Sequence, residues 1–403
     1  MLRFIEKKST IPILQNVSLT AGGGKLCLVG TNLEIAGMTS IPGESEVDET
    51  AWATTVPARL LKYLAQVKDD TVRLSPTITK SEPYKMKEPI LDDKGKKIWD
   101  EKTKEFKEQE VEKFNESHKL CIRHGEDSEA TFDGMSPSSF PEVPIPDKVY
   151  GELRGLKQAP HRAAVAISAE ESRFTLNGVL LALVPDGQSA LISTDGHRLS
   201  YLPINATALL KCETIVRRDA LYEAARMNGD SCLFGMSDNF HLFLGPQRSI
   251  VSRKLTGNFP DYERVLPKEH WRSIAMKSEA LAEVIQRVSV CADERSCYVH
   301  FYVDLASRRM TVKAEQCDQK AQGSVPIEWP DDTPWNAGLN WTYVADFLKL
   351  APGAIRFQIP EIDPKVECVS RVMEFVTEDG WRMVIMPMRL CRCGCERSNV
   401  GAI

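Results

Sequence analysis

Three short strings in this chain could do chemistry. Asp195-Gly196-His197 has the makings of a general base, with a carboxylate orienting an imidazole. No nucleophile string of the G-x-S-x-G kind accompanies it. The expected structure is a tight turn, with Gly196 at positive φ and His197 and Arg198 presented by it. Gly22-Gly23-Gly24-Lys25 resembles a phosphate loop in composition but lacks the spacing, and it sits between two strand-like runs, which predicts a hairpin turn. Cys391, Cys393 and Cys395 could bind zinc, but a fourth ligand is missing nearby and alternate spacing is not that of a structural site. The segment 391–403 is expected to be a disordered tail. No catalytic residue, metal or cofactor is expected. A metal-dependent hydrolase using Asp195, His197 and the tail cysteines is the competing class, separable by metal analysis and His197→Ala.

The elements that must position these residues follow from bulk properties and pattern. With 403 residues and 42% hydrophobic content, the chain suits two to four domains, each burying its own core. The net charge of −5 gives no hint of a nucleic-acid partner, although a basic face can hide inside an acidic total. No apolar run is long enough to span a bilayer, and the first eight residues lack a signal stretch, so a cytoplasmic protein without a membrane partner is expected. Among the 11 cysteines, Cys27, Cys232 and Cys291 lie in strand-like runs and read as small buried hydrophobes, not disulfide partners.

Strands are predicted at 25–29, 190–194, 232–236, 241–244, 298–303, 310–314 and 383–386. Helices are predicted at 57–67, 157–167, 218–227, 278–290 and 341–350, with Pro57 in a first turn and Ser278 as an N-cap. Many strands with recurring short helices predict an α+β fold with large antiparallel sheets. Phe140-Pro141-Glu142 and Phe259-Pro260-Asp261 lie 119 positions apart, and similar strand-to-helix spacings recur, which suggests three copies of one unit. The segment 75–119, rich in Lys and Glu, breaks the pattern. It reads as an insertion at the tip of a hairpin whose arms are 71–74 and 120–123, with 100–114 helical.

Five strings, in order, carry a family resemblance. They are Ser9-Thr10-Ile11-Pro12-Ile13-Leu14-Gln15-Asn16 with Thr31-Asn32-Leu33-Glu34; Thr54-Thr55-Val56-Pro57-Ala58-Arg59; Arg173-Phe174-Thr175-Leu176-Asn177-Gly178 with Thr194-Asp195-Gly196-His197-Arg198-Leu199; Gly257-Asn258-Phe259-Pro260-Asp261-Tyr262-Glu263-Arg264-Val265-Leu266-Pro267; and Met386-Pro387-Met388-Arg389-Leu390. Over residues 1–390 the sequence resembles the bacterial sliding clamp, the beta subunit of the replicative DNA polymerase. The resemblance implies three tandem clamp-fold domains, at 1–148 (with the insertion), 149–270 and 271–390. It also implies a crescent-shaped protomer whose homodimer closes head to tail, antiparallel sheets outside and helices lining the hole.

The implied function is a non-catalytic processivity factor that encircles double-stranded DNA. Sliding needs attraction without position, which phosphate charge supplies and base contacts would spoil. The residues expected to face DNA are Lys8, Arg59, Lys62, Lys157, Arg162, Phe174, Arg217, Arg218, Lys277, Arg287 and Lys349. The resemblance also implies a peptide-binding cleft between the second and third domains, formed by Arg173, Leu176, Thr194, Gly196, His197, Arg198, Leu199, Pro260, Arg264, Val265, Val384, Met386, Pro387, Met388, Arg389 and Leu390. Apolar members would hold a Leu or Phe anchor, methionines would adapt to different clients, and arginines would meet peptide carbonyls or acids. Expected partners are the replicative polymerase catalytic subunit, the clamp loader, repair polymerases and mismatch-repair proteins. Two departures stand out: the match begins late in the family pattern, where a first strand and most of a helix are expected, and the chain continues past Leu390. The short start and the insertion suggest a divergent paralogue for repair or a mobile element as the alternative.

Overall fold

The computed structural model describes residues 1–44, 51–89, 99–100, 105–106, 108–113, 116–170, 172–227, 229–267, 272–316, 318–329, 332–359 and 372–388. The chain divides into two compact units, Met1–Pro144 with Gln247–Ser249, and Ile145–Pro246 with Ile250–Ile403.

In the first unit, β1 (Asn16–Gly22), β2 (Lys25–Thr31) and β3 (Ile35–Pro42) form an antiparallel meander, and β4 (Trp52–Pro57) pairs with β1. The β1–β2 turn holds Gly23 at φ +56 and Gly24 at φ +71, the two positive angles of the tightest hairpins, so the glycines make a turn and not a phosphate cradle. Pro57 ends β4, and the short helix α1 (Arg59–Leu64) begins only after Ala58. The predicted first-turn role of Pro57 is therefore corrected, because pairing of Asn16 with Pro57 captures it for the sheet. A second sheet comprises β5 (Arg73–Lys80), β8 (Glu116–His124) and β9 (Ser128–Gly134), with Leu74 opposite Ile122 as the predicted hairpin arms require. Val17, Leu19, Val56, Leu60, Leu120 and Ile122 form the core between them.

The insertion is extended where it is described. β6 (Tyr84–Pro89) pairs with β7 (Glu108–Lys113), and Trp99–Asp100 pairs with Glu105–Phe106. The helix expected at 100–114 is thus corrected. Cross-strand partners such as Met86 with Val111, and the Lys85–Glu110 ion pair at 3.5 Å, take the side chains that helical neighbours would have used.

The second unit contains β10 (Val149–Arg154), α2 (Ala159–Ala163), β11 (Gly178–Leu183), β12 (Ala190–Thr194), β13 (Arg198–Pro203), β14 (Asn205–Ala208), β15 (Cys212–Arg217), α3 (Arg218–Ala224), β16 (Ser231–Met236) and β17 (Phe240–Leu244). There follow β18 (Arg272–Lys277), α4 (Ser278–Val288), β19 (Tyr298–Asp304), β20 (Arg309–Gln316), β21 (Gln319–Pro326), β22 (Asn336–Asn340), α5 (Trp341–Leu350), β23 (Ala354–Ile359), β24 (Met373–Thr377) and β25 (Arg382–Ile385). Each half has two strand-to-helix steps, β10–α2 and β15–α3, then β18–α4 and β22–α5. An eight-stranded antiparallel sheet runs β15-β11-β12-β13-β25-β24-β23-β18 and joins the halves through β13 and β25, with Leu199 opposite Val384 and Tyr201 opposite Arg382.

Helix α4 shows the amphipathic pattern that its sequence predicts, burying Leu281, Val284, Ile285 and Val288. Its start corrects an expectation: Lys277 occupies the cap position, and Ser278 is the first helical residue, its hydroxyl donating to the Leu348 carbonyl at 3.3 Å. Helix α5 is capped by the Asn340 side chain, which accepts from Thr342 N–H at 2.9 Å. Helix α2 is shorter than predicted because the chain tightens after it, with Ile167 N–H donating to the Ala164 carbonyl three residues back. Among the described cysteines, Cys232 is a buried thiol as expected and Cys291 is half-buried, whereas Cys27 is exposed on its strand.

Candidate peptide cleft and basic helix surfaces

The Asp195-Gly196-His197 string forms the β12–β13 turn. Gly196 adopts φ +90, as the residue type predicts. The Asp195 Oδ1 atom accepts backbone N–H bonds from His197 at 2.9 Å and Arg198 at 3.0 Å. Thr194 Oγ1 accepts from Gly196 N–H and donates to the Arg198 carbonyl. The carboxylate thus holds the turn and the Arg198 guanidinium, not the imidazole, which is the orientation a general base would need. The His197 carbonyl accepts from Met386 N–H at 2.9 Å, tying the turn to the end of β25.

One face of the eight-stranded sheet carries an apolar patch. Leu199 and Val384 cluster there with Leu180, Ala182, Ala190, Ile192 and Ile215. Val265, with Phe259, Tyr262 and Leu266 of the same segment, packs against them. Gly257 lets that segment approach: at its φ of +116, a Cβ would lie 2.4 Å from Thr175 Cγ2. Pro260 and Arg264 are exposed on it, and Arg264 pairs with Asp261 at 2.8 Å. Met386, Pro387 and Met388 are half-buried beyond β25, and Met388 N–H donates to the Gly338 carbonyl. Leu176 is buried in the Phe174–Leu176 turn, outside that cluster. Arg173 ties the same turn to the β12–β13 turn by donating to the Asp195 carbonyl at 3.1 Å. Arg389 and Leu390, like Cys391, Cys393 and Cys395, lie outside the described residues.

The opposite face buries Phe357, Phe375 and Met383 and carries a network of arginines among them. Arg198 donates to Asp195 Oδ2 at 3.0 Å and to Asp346 Oδ2 at 2.7 Å, and its guanidinium lies 4.4 Å from the centre of the Tyr343 ring. Arg162 donates to the Leu350 carbonyl at 3.1 Å and to Asp379 at 2.5 Å, and stacks 5.0 Å from Trp381. The Trp381 indole donates to Ser200 Oγ, which donates to the Arg162 carbonyl. Two sequence readings change. Arg162 was expected to face DNA, yet its side chain is only 15% exposed and joins α2 to α5 and the β24–β25 turn. Arg198 was expected to meet a peptide, yet its Nε and Nη1 atoms are engaged by Asp195 and Asp346.

The other cations lie at or near the surface. Lys8, Arg59 and Lys62 are exposed in the first unit, with Arg59 5.9 Å from the Phe132 ring. In the second unit Lys157, Arg218, Lys277, Arg287 and Lys349 are exposed and Arg217 is half-buried. Lys157 lies 3.4 Å from Asp230 and Arg287 3.7 Å from Glu283, so their charge is partly offset. Phe174 is 56% exposed. Sequence reasoning missed Asp346, Asp379, Trp381, Glu374 and Arg382. The signal for Glu374 was present: a lone acid in the apolar strand Met373–Thr377.

Two family descriptions match: "DNA polymerase III beta subunit, N-terminal domain" over residues 1–82, and "DNA polymerase III beta subunit, central domain" over residues 152–261. The chain is 26% identical to the beta sliding clamp of Pseudomonas putida over 96% of its own length and 95% of that protein's, and 23% identical to that of Caulobacter vibrioides over the same shares. It is similar to β sliding clamps over nearly its whole length. Among solved structures, the DNA polymerase III subunit beta of Pseudomonas aeruginosa superposes with a TM-score of 0.74 at 21% identity, and the beta subunit from DNA polymerase of Streptococcus pyogenes with 0.75 at 18%. Both alignments cover 96% of this chain and 95% of the other. The β-clamp fold therefore extends across the insertion-bearing chain, with the strand-to-helix steps as its repeated element.

Proposed function

We propose that the protein is a DNA sliding clamp, a non-catalytic processivity factor of DNA replication that works in the cytoplasm. The observation that carries this reading is the match to β clamps over nearly the whole chain, in sequence and in fold. In this reading three domains, 1–148, 149–270 and 271–390, form each protomer, and two protomers close into a ring around duplex DNA. The exposed cations on or beside α1 to α5 supply a phosphate attraction that is blind to sequence. Arg162 is left out of that set, because its charge is already matched by Asp379. The clamp loader opens the ring, and the replicative polymerase, repair polymerases and mismatch-repair proteins dock on the apolar face around Leu199, Val265, Val384 and Met386. A Leu or Phe anchor buried there contributes about 1.5–3 kcal/mol before ordering costs.

The test is retention after loading: the protein stays on nicked circular DNA and runs off the same DNA once it is linearised. Loss from both at one rate defeats the clamp reading. For the cleft, Met386→Ala with Leu176→Ala is expected to weaken a polymerase-tail peptide at least tenfold while the dimer, measured by sedimentation, persists. Unchanged affinity refutes the cleft.

A further inference from the structure

The apolar face carries one feature that anchor burial does not use. Leu199, Val384 and Glu374 are successive backbone partners across β13, β25 and β24. Directly opposed residues in antiparallel strands point to the same face. Glu374 is therefore an acid set in the row that holds two cleft residues, and Val372, two positions earlier, packs against the same apolar cluster. The residue is 2% exposed. Arg382, from the next row on the same face, brings Nε and Nη2 to Glu374 Oε2 at 2.8 Å each. Both arginine donors go to one oxygen. Among the described residues no other hydrogen bond reaches the carboxylate, which leaves Oε1 without a donor. Burial pushes the carboxyl above its ordinary range while Arg382 draws it back.

A nearly enclosed oxygen with spare acceptor capacity, on a face that must be dehydrated by whatever covers it, has a definite chemical preference. A phenyl or aliphatic anchor would take the last water from Oε1 and give nothing back. An anchor carrying a donor would replace that water. We propose that Glu374 is a specificity-determining residue of the client cleft, accepting at Oε1 a hydrogen bond from the hydroxyl of a tyrosine anchor. This rests on the cleft reading above. Arg382 acts as a positioning residue, holding the carboxylate in place through Oε2. Its backbone partner Tyr201, 6.4 Å from Tyr262, gives the same region an aromatic wall.

The probes are a fluorescein-labelled hexapeptide with a leucine and a phenylalanine anchor, and its twin in which the phenylalanine is tyrosine. Anisotropy titrations with the full chain are expected to show the tyrosine peptide binding about tenfold tighter, the scale of one hydrogen bond to a charged group. Replacing the pair together, Glu374→Met with Arg382→Met, removes both charges without orphaning either, and is expected to reverse the preference. Equal affinities for the two peptides in the unaltered protein overturn the proposal, and that comparison needs no variant to fold. A tyrosine preference that survives in the double variant overturns it as well. If neither peptide binds the unaltered protein while it is still retained on circular DNA, the cleft reading itself is wrong and the role of Glu374 goes with it.

Discussion

The two faces of the eight-stranded sheet are built from alternate residues of the same strands, yet they solve opposite problems. On β13, Arg198 and Ser200 point toward α2 and α5, while Leu199 and Tyr201 point away. The helix-side face buries Phe357, Phe375 and Met383 against Phe347, and the polar network set into it is closed: every donor named there, from Arg162, Arg198, Ser200 or Trp381, has a partner. The other face is apolar around Leu199 and Val384, where one loop segment covers it, and at the edge of that patch lies a buried acid, Glu374, with one carboxylate oxygen in use. A buried polar network with its bonds made fixes one geometry. An apolar face under a loop leaves room for a second chain. In the clamp reading proposed above, holding the halves together and receiving clients fall on opposite sides of one sheet.

This contrast can be broken most strongly at Trp381, which is fully buried under Arg162. Trp381→Ala is expected to cost roughly 3–5 kcal/mol in urea unfolding, whereas losses of that size are not expected from Met386→Ala on the other face. Arg198→Met, which leaves Asp195 and Asp346 facing an uncharged side chain, should cost about 2 kcal/mol, with little change in peptide affinity. If the peptide is lost while stability holds, Arg198 belongs to the cleft after all and the division of labour fails. A smaller, face-neutral effect is expected from acid. His241 is buried, shares a hydrogen bond of 2.7 Å with Thr214, and is held down to about 3 by burial. Its folded value lies below its unfolded one of about 6.5. The stability from the neutral ring is thus complete above that pH and is lost as pH falls from there toward 3, at up to about 1.4 kcal/mol per pH unit. His241→Gln should flatten the decline in urea midpoint over that window, and an unchanged decline would show that other groups set it.

Local pattern reached some elements bound for bound. Ala190–Thr194 and Trp341–Leu350 form as read, because β-branched residues and a heptad-like apolar spacing act over a few neighbours. The Gly196 turn was legible because only the backbone angle matters there. The arginines were not. Arg162 and Arg198 look like any solvated cation until partners 217 and 148 positions away arrive. The insertion misled for a related reason: its Lys and Glu residues suit a helix in isolation, and only the β5–β8 hairpin beneath commits them to a ladder. The proposed cleft comes from the family strings, which leave out Glu374, since a lone acid in a strand is ambiguous until Leu199 and Val384 line up beside it.

The β13–β25 junction also sets a timetable. Ser200 and Trp381 are 181 positions apart in the chain. At translation rates of roughly 5–20 residues per second, β13 waits on the order of 10–40 s on the ribosome for its neighbour. Throughout that interval its backbone groups form an open sheet edge, the surface most prone to pair with another nascent chain. Polysomes crowded with this message therefore present many such edges at once, and residues 198–203 would be one place for a holding chaperone to wait.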